Sequence, residues 1–288
     1  MKLCLACEKN FSSGDWQCPF CGKGPGRVEG FPSFAPELSE ENANYPSDGF
    51  ERLAPLEEKS FWFQSRNELI VWAVGRYFRP EGKFLEIGCG TGFVLSRIER
   101  EFPKLECFGS EIYGSGLRHS SKRLKRTELL QMDARRIPFR EEFDVIGLFD
   151  TLEHIPDDQG VLDQVHRALA PGGGVMITVP QHAFLWSYLD EYTHHARRYD
   201  RKDLARKLEK SGFTLTVATS FVSVLLPLMW LSRLGQEKPK DFDPEAEFKI
   251  HPWLNRLLEQ ILAAERALIR AGVRFPWGGS LLIIARKV

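Results

Sequence analysis

The stretch Lys83–Leu95, KFLEIGCGTGFVL, decides the fold. Its first half is an apolar run suited to a buried strand, and its second half is a glycine-rich turn opening onto a helical pattern, GFVLSRIEREF. Gly88, Gly90 and Gly92 allow the backbone to approach a ligand with no Cβ in the way. The spacing is G-x-G-x-G, not the G-x-G-x-x-G of dinucleotide sites. Glu86 stands just before the glycines, where its carboxylate would repel a pyrophosphate and suit a cation.

Outward from this stretch, strands and helices alternate. LEEKSFWFQSRNELIVWAVGRYF precedes it with helical spacing. LECFGSEI, ELLQMDA, FDVIGLFD and GVMITVP follow as strands, separated by the helices GLRHSSKRLK and DQGVLDQVHRALA, the latter closed by Pro171 and three glycines. A further helix, RKDLARKLEKSG, leads to a strand near FTLTVAT, and SLLIIARKV is the last strand. Continuous apolar strands divided by helices predict a mostly parallel sheet covered on both faces. In such a sheet ligands sit beyond the carboxyl ends of the strands. Glu111 ends the second strand about twenty residues past the loop, where a carboxylate can hold two ribose hydroxyls. Asp133 lies beyond the third strand, placed to accept from an adenine amine, and GLFDTLEHIPD ends the fourth with Asp150, Glu153 and His154. S-adenosylmethionine, with an ammonium, a sulfonium and no phosphate, matches a glycine loop flanked by acids.

From LEIGCGTG, the acid of SEIY, DAR-IPF, DTLEHIPD and ALAPGGGVMITVP, the chain resembles a class I SAM-dependent methyltransferase of the type 11, UbiE/UbiG-like kind, over roughly residues 56–288. The resemblance implies an α/β fold with a seven-stranded Rossmann-like sheet. It implies Glu86, Gly88, Gly90 and Gly92 around the methionine moiety, Glu111 on the ribose, Asp133 with Ala134 at the adenine, Phe149 and Asp150 lining the site, and Cys89 and Ile112 as further cofactor-binding residues. Glu111 departs from the Asp common in the family, and its longer side chain should still reach the ribose.

For the methyl acceptor, DTLEH after the fourth strand differs from the [ND]-P-P-[YF] of enzymes that methylate DNA amines or glutamine, and no Pro-Cys is there to attack a pyrimidine. An O-, N- or C-acceptor of a small-molecule, sugar or lipid-linked intermediate fits. PQHAFLWSYLDEYTHHARRYDRKDL, after the fifth strand, gathers His182, Trp186, Asp190, His194, His195, Arg198 and Tyr199. His154 and His195 are the candidate catalytic bases. His182, Trp186, His194, Arg198 and Tyr199, with Trp62 and Arg66 of the first helix, are candidate acceptor contacts, although such residues also serve as core and as helix caps.

Cys4, Cys7, Cys18 and Cys21 form two C-x-x-C knuckles, the pattern of a closed, structural Zn(2+) site in a zinc-ribbon-like module; iron suits the same geometry. Cys89 and Cys107 stand alone and read as small buried apolar residues. The domains expected are the Cys4 module over 1–22, a linker or irregular wrap over 23–55 and the methyltransferase domain over 56–288, with a helical insertion at about 221–277. Lysine plus arginine number 39, equal to aspartate plus glutamate, which argues against a polyanion-binding surface. An rRNA or tRNA methyltransferase docking through its zinc module, and a SAM-binding regulator without catalysis, stay open as alternatives. The N-terminus has no signal-peptide run and no segment nears the roughly 20 apolar residues of a membrane span, so a cytoplasmic protein is expected.

Overall fold

Alternation along the strands assigns each side chain to one of two apolar layers. In strand β8 (Phe143–Phe149), Ile146 and Leu148 enter one layer while Val145 and Phe149 enter the other. In β11 (Ser280–Lys287), Leu281, Ile283 and Ala285 oppose Leu282 and Ile284 in the same way. Helices cover both layers, which is why these strands read as unbroken apolar runs. The computed structural model describes residues 1–40, 49–233 and 250–288.

The chain opens with a two-stranded ribbon, β1 (Lys2–Leu3) and β2 (Asn10–Phe11), and a hairpin, β3 (Gly26–Val28) and β4 (Phe31–Ser33). Helices α1 (Gly49–Lys59) and α2 (Phe61–Tyr77) lead into β5 (Glu81–Ile87), α3 (Phe93–Glu101), β6 (Lys104–Glu111), α4 (Gly114–Arg123) and β7 (Glu128–Gln131). After β8 come α5 (Asp158–Ala168), β9 (Leu169–Pro180), α6 (Tyr188–Tyr192), α7 (Arg201–Lys210), β10 (Phe213–Phe221), α8 (Leu226–Arg233), α9 (Pro252–Arg270) and β11. The sheet runs β10-β11-β9-β8-β5-β6-β7-β4-β3. Seven of these strands form the expected Rossmann-like sheet, parallel except for β11, which is antiparallel to both its neighbours. The order reverses at β5, which pairs with β6 on one side and β8 on the other.

The stretch expected as an irregular wrap adds strands to the sheet. Ser33 of β4 pairs in parallel with Gln131 of β7. The buried Gln131 amide extends that pairing: its Oε1 accepts from Ser33 Oγ at 2.8 Å and Ala35 N at 3.0 Å, and its Nε2 donates to Ala35 O at 2.7 Å. Helix α1 runs through the expected boundary at residue 55, and residues 41–48 of the wrap lie outside the described residues. Pro171 and the glycines after α5 belong to β9, which begins directly at Leu169 because the helix already ends at Ala168. Both expected insertion helices are present as α8 and α9, with residues 234–249 outside the described residues. No described helix is long and apolar enough to cross a membrane.

Candidate active site

The strand-order reversal at β5 opens a crevice beyond its carboxyl end, the standard ligand position in such sheets. Gly88, Gly90 and Gly92 all take left-handed φ values there, +72°, +52° and +75°. Gly88 is required by space as well, since a Cβ would fall 2.5 Å from the Thr151 side chain. The N–H groups of Gly88 and Cys89 donate to Ser110 O at 2.8 and 2.9 Å, tying the loop to β6. Cys89 packs its side chain into the core, leaving its backbone to line the crevice.

Two acids meet at this loop in different states. Glu111 accepts from Gly90 N at 3.1 Å, Ile112 N at 2.7 Å and Tyr113 N at 3.2 Å. Glu86 is 2% exposed, and its Oε2 has no hydrogen-bond partner among the described residues. Burial pushes Glu86 well above the usual carboxylate range; Arg66 pulls it down, while Glu57 and Glu111 push it further up. Burial also raises Glu111, against the lowering pull of its three N–H donors. Asp133 is half-buried and paired with Arg135, whose Nη2 lies 2.8 Å from Oδ2, and Ala134 beside it is buried.

A clasp from α1 holds the loop in place, and the sequence reading missed it. The buried Glu57 accepts from Thr91 Oγ1 at 2.8 and 2.6 Å and from Arg123 Nη1 at 2.6 Å. Phe50, also buried, packs over Gly90 and Gly116 beside Glu111. The available signal was a second acid, Glu57, on the apolar side of an amphipathic helix.

Arg66 lies deep in the crevice. Its Nε is 2.5 Å from Asp150 Oδ2, its Nη2 donates to Phe149 O at 3.2 Å, and its guanidinium sits 5.1 Å from the Trp62 ring. Asp150 occupies a left-handed turn at φ +53° at the end of β8. Arg66 is therefore the counter-ion of Asp150.

The loop after β9 converges on Asp190. That buried carboxylate takes a two-pronged ion pair from Arg198, at 2.8 Å from Nε and 2.9 Å from Nη2, and the Nδ1 of His195 at 2.8 Å. It also closes a capping box with Ser187 at the start of α6. Its partners outweigh burial and hold Asp190 well below the usual carboxylate range. His195 brings its ring to 4.6 Å from that of His154, edge to face. Glu153, wholly buried, lies beneath them with Oε1 4.0 Å from His195 Nε2.

The remaining candidates separate. Tyr199, placed in the sequence among acceptor contacts, is buried and donates to Asp158 at 2.9 Å, because a bridge between Gln181 and Tyr199 draws it into the core. His194 is exposed at φ +55° and is not among the converging groups. His182, at φ +64°, stacks on Phe184 with centroids 5.0 Å apart and lies 5.4 Å from Trp277. Trp186 is exposed nearby.

At the far end of the chain's first module, Cys4 and Cys21 bring their sulfurs to 3.6 Å, and Cys7 and Cys18 to 3.7 Å. Four ligands on arms of about 2.3 Å around one tetrahedral ion stand roughly 3.8 Å apart, so the donors fit a metal. Burial would raise the Cys4 thiol, but the N–H groups of Cys7 and Ala6 and the adjoining thiols outweigh it and bring it down to about 6.

Residues 42–217 match the family described as "Methyltransferase domain". The "Probable S-adenosylmethionine-dependent methyltransferase" of Mycolicibacterium smegmatis is 24% identical over 172 residues, 58% of this chain and 65% of that protein. The malonyl-[acyl-carrier protein] O-methyltransferase of Methylococcus capsulatus is 25% identical over 172 residues, 54% of this chain and 62% of that protein. The chain thus spans less than two thirds of either relative. In fold it matches phosphoethanolamine N-methyltransferase 2 of Haemonchus contortus, solved with S-adenosyl-L-methionine, at TM-score 0.56 and 18% identity over 85% of this chain and 58% of that one. The crevice beyond β5 and the family match fall on the same residues, and the chain belongs to the methyltransferase domain family.

Proposed function

We propose that the chain transfers the methyl group of S-adenosylmethionine to a small-molecule acceptor, with an apolar or lipid-linked biosynthetic intermediate as the acceptor class. The observation that carries the reading is Glu86, a buried carboxylate with an orphaned oxygen under a glycine loop. Such a group is costly unless a cation meets it, and the ammonium of the cofactor's methionine moiety is that cation. Glu111 keeps acceptor capacity for the ribose hydroxyls while its N–H partners fix its orientation. Bound there, S-adenosylmethionine would supply an activated methyl group, with the paired Arg66 and Asp150 lining the crevice beside it.

Phe184, Trp186, Leu228, Trp230 and Trp277 are all exposed around the 183–185 turn and α8, which supports an apolar acceptor. The relative named for O-methyl transfer supports an oxygen as the methylated atom. The four cysteines support a structural zinc ion, which would fix the first module without open coordination positions. Calorimetric titration of wild type and Glu86→Gln with S-adenosylmethionine tests the cofactor site, followed by a screen of apolar hydroxylated intermediates with methyl-labelled cofactor. Equal affinity in the two proteins would overturn the Glu86 assignment. Binding without label transfer to any acceptor would favour a SAM-binding regulator.

A further inference from the structure

We propose that Glu153, His154 and His195 form a divalent-cation site at the acceptor end of the crevice, open to an oxygen of the methyl acceptor. Among the described residues these three groups bring one donor atom each to within 4.8 Å of one another. The 4.0 Å between Glu153 Oε1 and His195 Nε2 is too long for a hydrogen bond. Ligands on arms of about 2.0–2.2 Å around one ion stand roughly 3.0–3.8 Å apart, so that pair lies a few tenths of an ångström outside the spacing of a shared ion. All three donor atoms lie within 4.8 Å of one another, so side-chain adjustments of about an ångström bring them onto one ion.

Glu153 supplies an independent indication. It is 0% exposed, and neither carboxylate oxygen has a hydrogen-bond partner among the described residues. The two buried cations nearby are committed elsewhere, Arg66 to Asp150 and Phe149 O, and Arg198 to Asp190 and Gln181 O. The main chain holds the two halves of the site together, as Ala196 N donates to Glu153 O at 2.7 Å.

His195 has the outer partner expected of a metal-ligating imidazole. Its Nδ1 meets Asp190 Oδ1 at 2.8 Å, so the proton belongs on Nδ1 and the Nε2 lone pair faces Glu153. Asp190 is itself immobilised by Arg198 and Ser187. His154 is exposed, which leaves one side of the site open to water or acceptor. Two imidazoles and a carboxylate with open positions suit a transition ion of the manganese-to-zinc series rather than magnesium or calcium.

The consequence rests on the methyl-transfer reading, whereas cation binding does not. An acceptor hydroxyl bound to the ion loses its proton to solvent. Its oxygen lone pair forms the O–CH3 bond as the S–CH3 bond breaks with its electrons retained on sulfur. The products are a methyl ether, S-adenosylhomocysteine and one released proton.

The test is a Co2+ titration of the full, tag-free, zinc-loaded protein, followed by visible absorption. The expected result is one Co2+ per chain with weak d–d bands and no thiolate charge-transfer band. Glu153→Gln and His154→Gln should each weaken it roughly tenfold or more. Glu153→Gln replaces an unpartnered acid with a neutral amide of the same shape, so its melting temperature serves as the folding control. Absence of non-thiolate Co2+ binding, or binding undiminished in Glu153→Gln, overturns the site. S-adenosylhomocysteine titrated into the same samples separates the two ideas: its binding without Co2+ binding defeats the cation site alone, and Co2+ binding without it defeats the cofactor reading alone.

Discussion

The two halves of the crevice are built on one plan from different materials. Each contains a buried acid that is fully held and a buried acid that is not. At the glycine loop the held acid is Glu111, fixed by three backbone N–H groups, and the other is Glu86. In the loop after β9 the held acid is Asp190, fixed by Arg198, His195 and Ser187, and the other is Glu153. The held acid positions its surroundings, and the orphaned acid marks where a positive group belongs. Backbone dipoles and side-chain cations differ in strength, however. Burial outweighs the N–H donors of Glu111 and its pKa rises, whereas the ionic partners of Asp190 outweigh burial and its pKa falls.

That contrast is open to measurement. Asp190→Ala should have the largest effect, a loss of about 3–5 kcal/mol in chemical denaturation, because it leaves a buried guanidinium without its partner. An unchanged denaturation midpoint would remove Asp190 from the scaffold. Glu111→Ala should weaken S-adenosylmethionine binding by about 1–3 kcal/mol in calorimetry with the fold intact. Unaltered affinity would dismiss the ribose assignment.

Glu86→Gln should act with opposite signs on stability and binding. The cofactor-free protein should gain about 1 kcal/mol at neutral pH, while cofactor affinity falls. The pH dependence follows from linkage. Glu86 has a raised folded pKa, so its contribution is most favourable below the unfolded value of about 4.3 and declines as pH rises toward the folded one. Asp190 is the reverse: its contribution is complete above about 3.9 and is lost as pH falls through its low folded value. Melting curves of cofactor-free wild type and Glu86→Gln should therefore converge as the solution is made more acidic, and parallel curves at every pH would contradict the burial argument. The smallest effect should come from Tyr199→Phe, about 0.5–1 kcal/mol from one lost hydrogen bond to Asp158, with cofactor affinity untouched. A changed acceptor KM in that variant would restore Tyr199 to the pocket.

The glycine-loop half was largely legible in its fold because main-chain turns leave local marks. Glycines at left-handed positions, an apolar strand before them and acids at successive strand ends all survive in sequence order. The half around Asp190 and Glu153 is written in contacts between distant segments. Glu153 and His195 were visible singly, but nothing local shows that an Asp–Arg pair turns the imidazole toward that acid. Tyr199 reads as a polar loop residue until the bridge to Gln181 buries it. Glu57 was obscured for a related reason, since a charge on a surface helix ordinarily faces solvent, and only its contact with Thr91 and Arg123 gives it a role.

The hairpin β3–β4 has a consequence beyond the crevice. Without it, β7 would present a rim of open N–H and C=O groups, the kind of surface on which a second chain can zip. The cysteine module is fastened to the same border: Trp16 packs against Phe34 and Phe139 at 4.6 and 5.2 Å, and Leu3 N donates to Pro138 O at 2.9 Å. An ion held by the four thiolates would brace that fastening, and its loss would loosen it at a distance from the glycine loop. Stripping a metal from the cysteine module should then show first as self-association through the β7 border, with the glycine loop unaltered.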